Sequence, residues 1–306
     1  MKSIFRKILF GDTQVKEYAT VNVDEIKESV YLKIGDTTIN ISQNQYLLCL
    51  EPLIFGVWLE NGKDIISGSG YYTCKMYFKQ NKTILSALTL SLFKRIDEDN
   101  GSLILLKLEK SRIYHLNVLK TRLLFRQFYK KPGLSFAQLK GFASAYSYPR
   151  RVRVISFRQG DYYNIFPMDL LGDISQSNQY VFGLRHSNTA LQKIMETKRL
   201  VVSEVPHTYK ETIYKLGSHH SAGPPPIAEL PFKVINSKNF GFYVPEWVDS
   251  YKEVNIKTTI NLGSHMLLWG DVQNECTLKA ATGHLYHIHY LLYLYHKHKG
   301  LTYPIV

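Results

Sequence analysis

The sequence predicts a mainly β fold with some helix, on three observations. Aromatic residues make up 13% of the 306 residues, 22 Tyr among them, and many fall in alternating runs that suit a pleated sheet. Turn signals such as Gly35-Asp36, Asn61-Gly62 and Asn100-Gly101 separate those runs. Two stretches near the middle change to helical spacing of leucines and aromatics.

Taken in order, residues 19–23, 29–34, 37–41, 46–59, 71–78 and 103–108 read as strands, rich in β-branched and aromatic side chains. Residues 114–130 read as an amphipathic helix. Leu116, Leu119, Leu123, Leu124 and Phe128 form its apolar face, Lys120, Arg122, Arg126, Lys130 and Lys131 are its basic residues, and Pro132-Gly133 stops it. A second helix covers residues 136–145. Pro149 opens a new pattern, in which Val152, Val154, Ser156 and Arg158 alternate with Arg153, Ile155 and Phe157 as in a strand. The expected domain cut lies at 146–149, giving a β-rich unit over 1–147 that ends in two helices and a second unit over 148–306. No internal repeat is apparent. Residues 217–227, with three consecutive prolines, read as a mobile loop.

With 45% hydrophobic and 21% charged residues the chain reads as globular rather than disordered or fibrous. Its longest apolar stretch, residues 46–59, is broken by Glu51 and Pro52 and is too short to span a bilayer. The first ten residues lack a sustained apolar core and a small-residue cleavage site, so a cytoplasmic location is expected. Cys49, Cys74 and Cys276 are odd in number and far apart, which indicates neither a zinc site nor a redox pair. The net charge is +13, and nine basic residues between Lys107 and Lys140 face only Glu109. Such a field attracts polyanions, but no nucleic-acid-binding motif accompanies it, so a helix with a solvated basic face is the favoured reading. His284, His287, His289, His296 and His298 cluster near the end, and His287 with His289, or His296 with His298, would share a strand face. No Cys, Asp or Glu in that run completes a metal site, and none is expected.

The stretch from Tyr180 to Ile194 is the most informative. An apolar strand ends at Gly183-Leu184, Arg185, Ser187 and Thr189 follow, and a helix with Leu191, Ile194 and Met195 on one face comes next. A guanidinium, two hydroxyls and unpaired helix N-terminal N–H groups would suit a phosphate dianion. The alternative is that Ser187 or Asn188 caps the helix and Arg185 is solvated.

The order of elements from 148 to 306 resembles the flavin-reductase-like FMN-binding split β-barrels, including the flavoredoxin type. Pro149 through Ser156 looks like that family's opening strand, and Gly160 through Asp169 its second. Val181 through Thr189 looks like the strand-to-helix corner that holds the FMN phosphate. Asn261 through Val272 is similar to its late strand, with Gly263-Ser264-His265 and Gly270-Asp271-Val272, and Tyr290 through Tyr295 to its closing segment. The resemblance implies that Arg185, Ser187 and Thr189 hold the phosphate and that Asn164, Phe166, Pro167 and Met168 lie along the flavin. It places His265 near the cofactor, the nicotinamide pocket or a dimer seam. It implies an FMN-dependent oxidoreductase using NADH or NADPH to reduce flavin or a small acceptor, with no catalytic side chain of its own, and a homodimer. A non-catalytic FMN-binding electron-transfer or sensor module is the first alternative, and an interaction protein with a basic, nucleic-acid-binding N-terminal half the second. Asp169 stands where the family commonly has a small hydroxyl residue, and a carboxylate there would repel a phosphate or a reduced flavin. Ser177-Asn178 and Val202-Ser203 also depart from the pattern.

Overall fold

The computed structural model describes residues 4, 7, 16–61, 73–129, 131, 133–300 and 303–306. The rest of the first ten residues, Gly62, Tyr71, Tyr72, Lys130 and Pro132, on which parts of the sequence reading fall, lie outside the described residues.

After a short strand, β1 (Tyr18–Asn22), seven strands build one antiparallel sheet: β2 (Glu28–Ile34), β3 (Thr37–Asn40), β4 (Gln45–Leu50), β5 (Leu53–Glu60), β6 (Thr73–Gln80), β7 (Thr83–Glu98) and β8 (Gly101–Ile113). Two helices follow, α1 (Val118–Gln127) and α2 (Phe136–Ala145), and then the two-residue β9 (Arg150–Arg151). A second antiparallel sheet is made of β10 (Arg153–Gln159), β11 (Tyr162–Met168), β12 (Leu171–Ile174), β13 (Gln179–Arg185), β14 (Arg199–Glu204), β17 (Ser250–Asn261) and β18 (His265–Thr277). Helix α3 (Leu191–Thr197) sits between β13 and β14. Residues 205–249, between β14 and β17, carry helix α4 (Lys210–Lys215) and a small hairpin of β15 (Val234–Asn236) with β16 (Tyr243–Pro245). The strand β19 (Leu285–His289) and helix α5 (Tyr290–His298) come last.

The first sheet runs β3-β2-β6-β7-β8-β5-β4 and the second β11-β10-β14-β17-β18-β13-β12. Numbered in chain order within each sheet, both read 2-1-5-6-7-4-3. The sequence showed no repeat, yet the topology repeats. A β sheet constrains burial parity and turn positions far more tightly than side-chain identity, so a repeat can persist in strand order after it has faded from composition.

Residues 46–59, read as one strand, form the hairpin β4–β5 with its turn at Glu51-Pro52. They read as one apolar run because both faces are buried. On β5, Phe55, Val57 and Leu59 enter the main core, whereas Ile54 and Trp58 enter a second apolar cluster on the opposite face. That cluster is the contact between the sheets. Tyr46, Leu48, Cys49, Leu103 and Leu105 of the first meet Ile174, Val181, Leu262, Leu267 and Trp269 of the second. Trp58 and Trp269 meet edge to face with centroids 6.2 Å apart.

Helix α1 differs from its expected face. Leu124 and Phe125 are buried, while Leu119 and Leu123 are 70% and 41% exposed. Asn117 caps it at Lys120 N, which fixes a rotation that turns Leu119 outward. Helix α2 begins on a capping box of Ser135 and Gln138. The histidine run also differs: His296 and His298 lie on α5 rather than on a strand, so they do not share a face. A third sheet, β1-β19-β9, joins strands from both sides of the expected domain cut. Among the described residues no helix is long and apolar enough to cross a membrane.

Candidate functional site

A cleft of about 350 Å³ opens where β13 ends beside the start of β18. Arg185 and His265 face each other in register there. The cleft is lined by Pro167, Met168, Asp169 and Leu170 from the end of β11, by Gly183, Leu184, Arg185 and Ser187, by His220 and Ser221, by His265, and by Leu50 of the first sheet. Of the residues singled out in the sequence it brings together Pro167, Met168, Arg185, Ser187 and His265. Asn164, Phe166 and Thr189 are not among its lining.

Those three support the cleft from behind. Phe166 is fully buried, with its ring 4.8 Å from that of His220. Asn164, also fully buried, donates from Nδ2 to Thr189 Oγ1 at 3.1 Å and to the His219 carbonyl at 3.0 Å. The Thr189 hydroxyl is thereby turned toward Asn164. The amides at the start of α3 are engaged as well: Ala190 N donates to Asn188 Oδ1 at 2.8 Å and Leu191 N to the Asn188 carbonyl. Asn188 thus engages two amides ahead of the helix, and the side-chain donors left at the corner are the exposed Arg185 guanidinium and the Ser187 hydroxyl. Among the described residues neither has a hydrogen-bonding or ion-pair partner.

The segment around residues 217–227, read as a mobile loop, is fastened to β11 at three points. Leu216–His220 form a 3-10 turn. His219 Nδ1 donates to the Ile165 carbonyl and His220 Nε2 to the Pro167 carbonyl, both at 2.8 Å, and Tyr163 donates its hydroxyl to the Pro225 carbonyl. Asn188 Nδ2 donates to His220 Nδ1, also at 2.8 Å, which fixes a neutral ring; burial lowers its pKa accordingly. No sequence spacing announces these bonds, because both imidazoles bind backbone carbonyls.

Burial, aided by the Arg185 charge, pushes His265 down to about 4, so its ring is neutral. The Ser264 hydroxyl lies 2.7 Å from His265 Nδ1 and accepts from Glu51 N at 3.1 Å. Where the hydroxyl donates to Nδ1, Nε2–H is the donor of the ring. Asp169 is not a bare charge. Burial opposes its ionisation, but His287 Nδ1 at 2.8 Å, the Tyr146 hydroxyl at 3.0 Å and the Arg150 guanidinium hold the carboxyl below its ordinary range. These partners keep the carboxylate charged at the cleft wall.

Gly183 decides how closely the first sheet approaches. A Cβ there would lie 1.8 Å from the Leu48 carbonyl oxygen, so only glycine lets the β4 backbone cross β13.

No family model and no curated protein matches the chain. Several solved structures are similar to part of it. An FMN-binding protein from Thermus thermophilus with bound 1-cyclohex-2-enone shares 19% identity over 42% of this chain and 71% of its own, with a TM-score of 0.38. The NADH:FAD oxidoreductase of Streptomyces globisporus shares 13% over 51% of this chain and 94% of its own, at 0.45. Flavoredoxin from Methanosarcina acetivorans shares 12% over 42% and 69%, at 0.38. These neighbours are flavin reductases and FMN-binding proteins.

Proposed function

We propose that the second sheet binds FMN in the cleft between Arg185 and Met168 and serves a flavin-dependent oxidoreductase. The observation that carries this reading is the unpartnered pair at the corner, the Arg185 guanidinium and the Ser187 hydroxyl, above a wall made of Pro167, Met168, Leu170 and Leu184. An anion-binding mouth over an apolar wall suits a ligand with a phosphate at one end and a planar ring at the other. When bound, FMN supplies a ring nitrogen that accepts a hydride from NADH or NADPH. The residues of the chain do the rest. Arg185 and Ser187 hold the phosphate, and Met168 and Leu184 exclude water from the ring. His265, a neutral donor, can stabilise negative charge that develops on the ring without adding a fixed charge of its own. The reaction needs no nucleophile or acid–base pair, and the acceptor would be free flavin or a small molecule.

A second reading, an FMN-binding electron-transfer or sensor module with no hydride transfer of its own, is favoured by Asp169. Its carboxylate stays charged on the cleft wall and opposes accumulation of an anionic reduced ring. The deciding experiment is an absorbance spectrum of the purified protein titrated with FMN, followed by anaerobic NADH or NADPH. Perturbed flavin bands at about 370 and 450 nm that bleach with nicotinamide support the oxidoreductase. Bands that bleach only with dithionite support the module, and unperturbed bands at excess FMN reject both.

A further inference from the structure

We infer that the two sheets are two copies of one fold joined in a single chain. The first stands where a second subunit would stand and completes the cleft of the second, but the phosphate site is single: among the described residues the first has no counterpart of the paired Arg185 and His265. The pairing rests on the fold alone; the count of sites rests on the FMN reading above.

The interval between the copies is constant. Strands β2 and β10 begin at Glu28 and Arg153, a separation of 153 − 28 = 125. Their hairpins turn at Gly35-Asp36 and Gly160-Asp161, again 160 − 35 = 125, and both glycines have positive φ, 54° and 59°. Strands β5 and β13 end at Glu60 and Arg185, 185 − 60 = 125. Four strands thus pass without a net insertion or deletion, in the same order and register sense. The seventh strands correspond through the pairs Glu60–Gly101 and Arg185–His265.

The contact between the sheets obeys the same correspondence. Leu103 and Leu105 on β8 occupy the positions of Leu267 and Trp269 on β18, since 267 − 103 and 269 − 105 are both 164, and all four lie in the cluster between the sheets. Each sheet presents its third, fourth and seventh strands to the other, as Tyr46, Trp58 and Leu103 on one side and Ile174, Val181 and Leu267 on the other. One patch meeting its own counterpart is the arrangement of a two-fold dimer, made here within one chain.

The copies are unequal at the site. Where the second has Arg185 opposite His265, the first has Glu60 opposite Gly101, a carboxylate in place of the guanidinium and no imidazole. Between its fifth and sixth strands the first turns on Asn81-Lys82 alone, with no segment to match His219 and His220. The first sheet instead builds the cleft of the second. Leu50 is part of its wall. Cys49 Sγ lies 3.6 Å from His265 Nδ1, and Ser264 N donates to the Glu51 carbonyl at 2.7 Å, which fixes the start of β18. Leu50, Cys49 and Glu51 are therefore positioning residues contributed within the chain.

The test is the mass of the full chain by light scattering, alongside FMN titration of the same sample and of Leu50→Ala. The expected results are a mass of one chain, 35.4 kDa, one FMN per chain, and a roughly fivefold weaker FMN affinity for Leu50→Ala at unchanged mass. A mass of two chains that persists on dilution overturns the claim that the first sheet replaces a subunit. Two FMN per chain overturns the single site, and unchanged affinity in Leu50→Ala overturns completion of the cleft within the chain. If no FMN binds, the reading under Proposed function fails, and the mass still decides the pairing.

Discussion

Between its fifth and sixth strands the first sheet spends two residues on a turn, Asn81-Lys82, whereas the second inserts residues 205–249 at the same place. At the end of the fourth strand the first carries Glu60 and the second Arg185. The strands themselves are interchangeable in order, and each buries alternating faces in the same sense. The difference teaches where chemistry is placed in such a fold. Strand interiors are committed to packing on both faces, so only strand ends and the segments between strands are free to acquire polar groups that face a ligand.

Four experiments break or sharpen this comparison. The largest effect is expected at Trp58, fully buried between the sheets in the first copy: Trp58→Ala should cost about 4 kcal/mol in urea unfolding, from lost burial and the cavity left. The register-equivalent residue in the second copy is Gly183, since 183 − 58 = 125. Gly183→Ala pushes a methyl into the Leu48 backbone and should cost about 3 kcal/mol. A cost below about 1 kcal/mol for either would show that the sheets do not depend on this contact.

The third contrast is functional. Arg185→Ala should lose about 2 kcal/mol of FMN affinity, a charge-assisted contact. Glu60→Ala, its equivalent, should change affinity by less than about 0.5 kcal/mol. Equal effects in calorimetric titration would erase the asymmetry between the copies.

The smallest effect concerns pH. Burial lowers His115, His265, His284 and His296 to about 4 and His289 to about 3. In the unfolded chain these rings titrate at about 6.5. Between those values the unfolded state binds more protons, so stability is full above about 6.5 and falls as the pH drops toward 4. His265→Gln should shallow that decline by up to about one proton while leaving stability at pH 8 nearly unchanged. A decline of undiminished slope would mean that the His265 ring is not held neutral by burial.

Much of this was legible in the sequence and some was not, for physical reasons. Helix α2 matched its expected span, Phe136–Ala145, because apolar spacing and a Ser135–Gln138 cap coincide. The paired strands around Gly35-Asp36 announced themselves through turn chemistry, and those around Gly160-Asp161 through the family resemblance. The longest strand, β7, had no assignment, since Leu85, Ala87, Leu88 and Leu90 are helix formers held extended by pairing to β6 and β8. At the cleft, Arg185 and Ser187 could be singled out from their residue types, and Met168 and His265 only through the resemblance of the strands that carry them. Leu50 could not, since nothing local to residues 45–60 says that they meet a strand more than a hundred residues away. Asn164 and Thr189 were also singled out, but a buried amide seeks its own partners first, and they bond each other behind the cleft.

The strand β1 binds β19 through pairs such as Tyr18 with His289. During synthesis the first strand must therefore wait for a further 289 − 18 = 271 residues before its partner exists. At ribosomal speed that wait is on the order of tens of seconds. Throughout it Ala19, Val21 and Val23, buried in the finished molecule, stand bare. A nascent chain of this kind offers an early and lasting handle to chaperones.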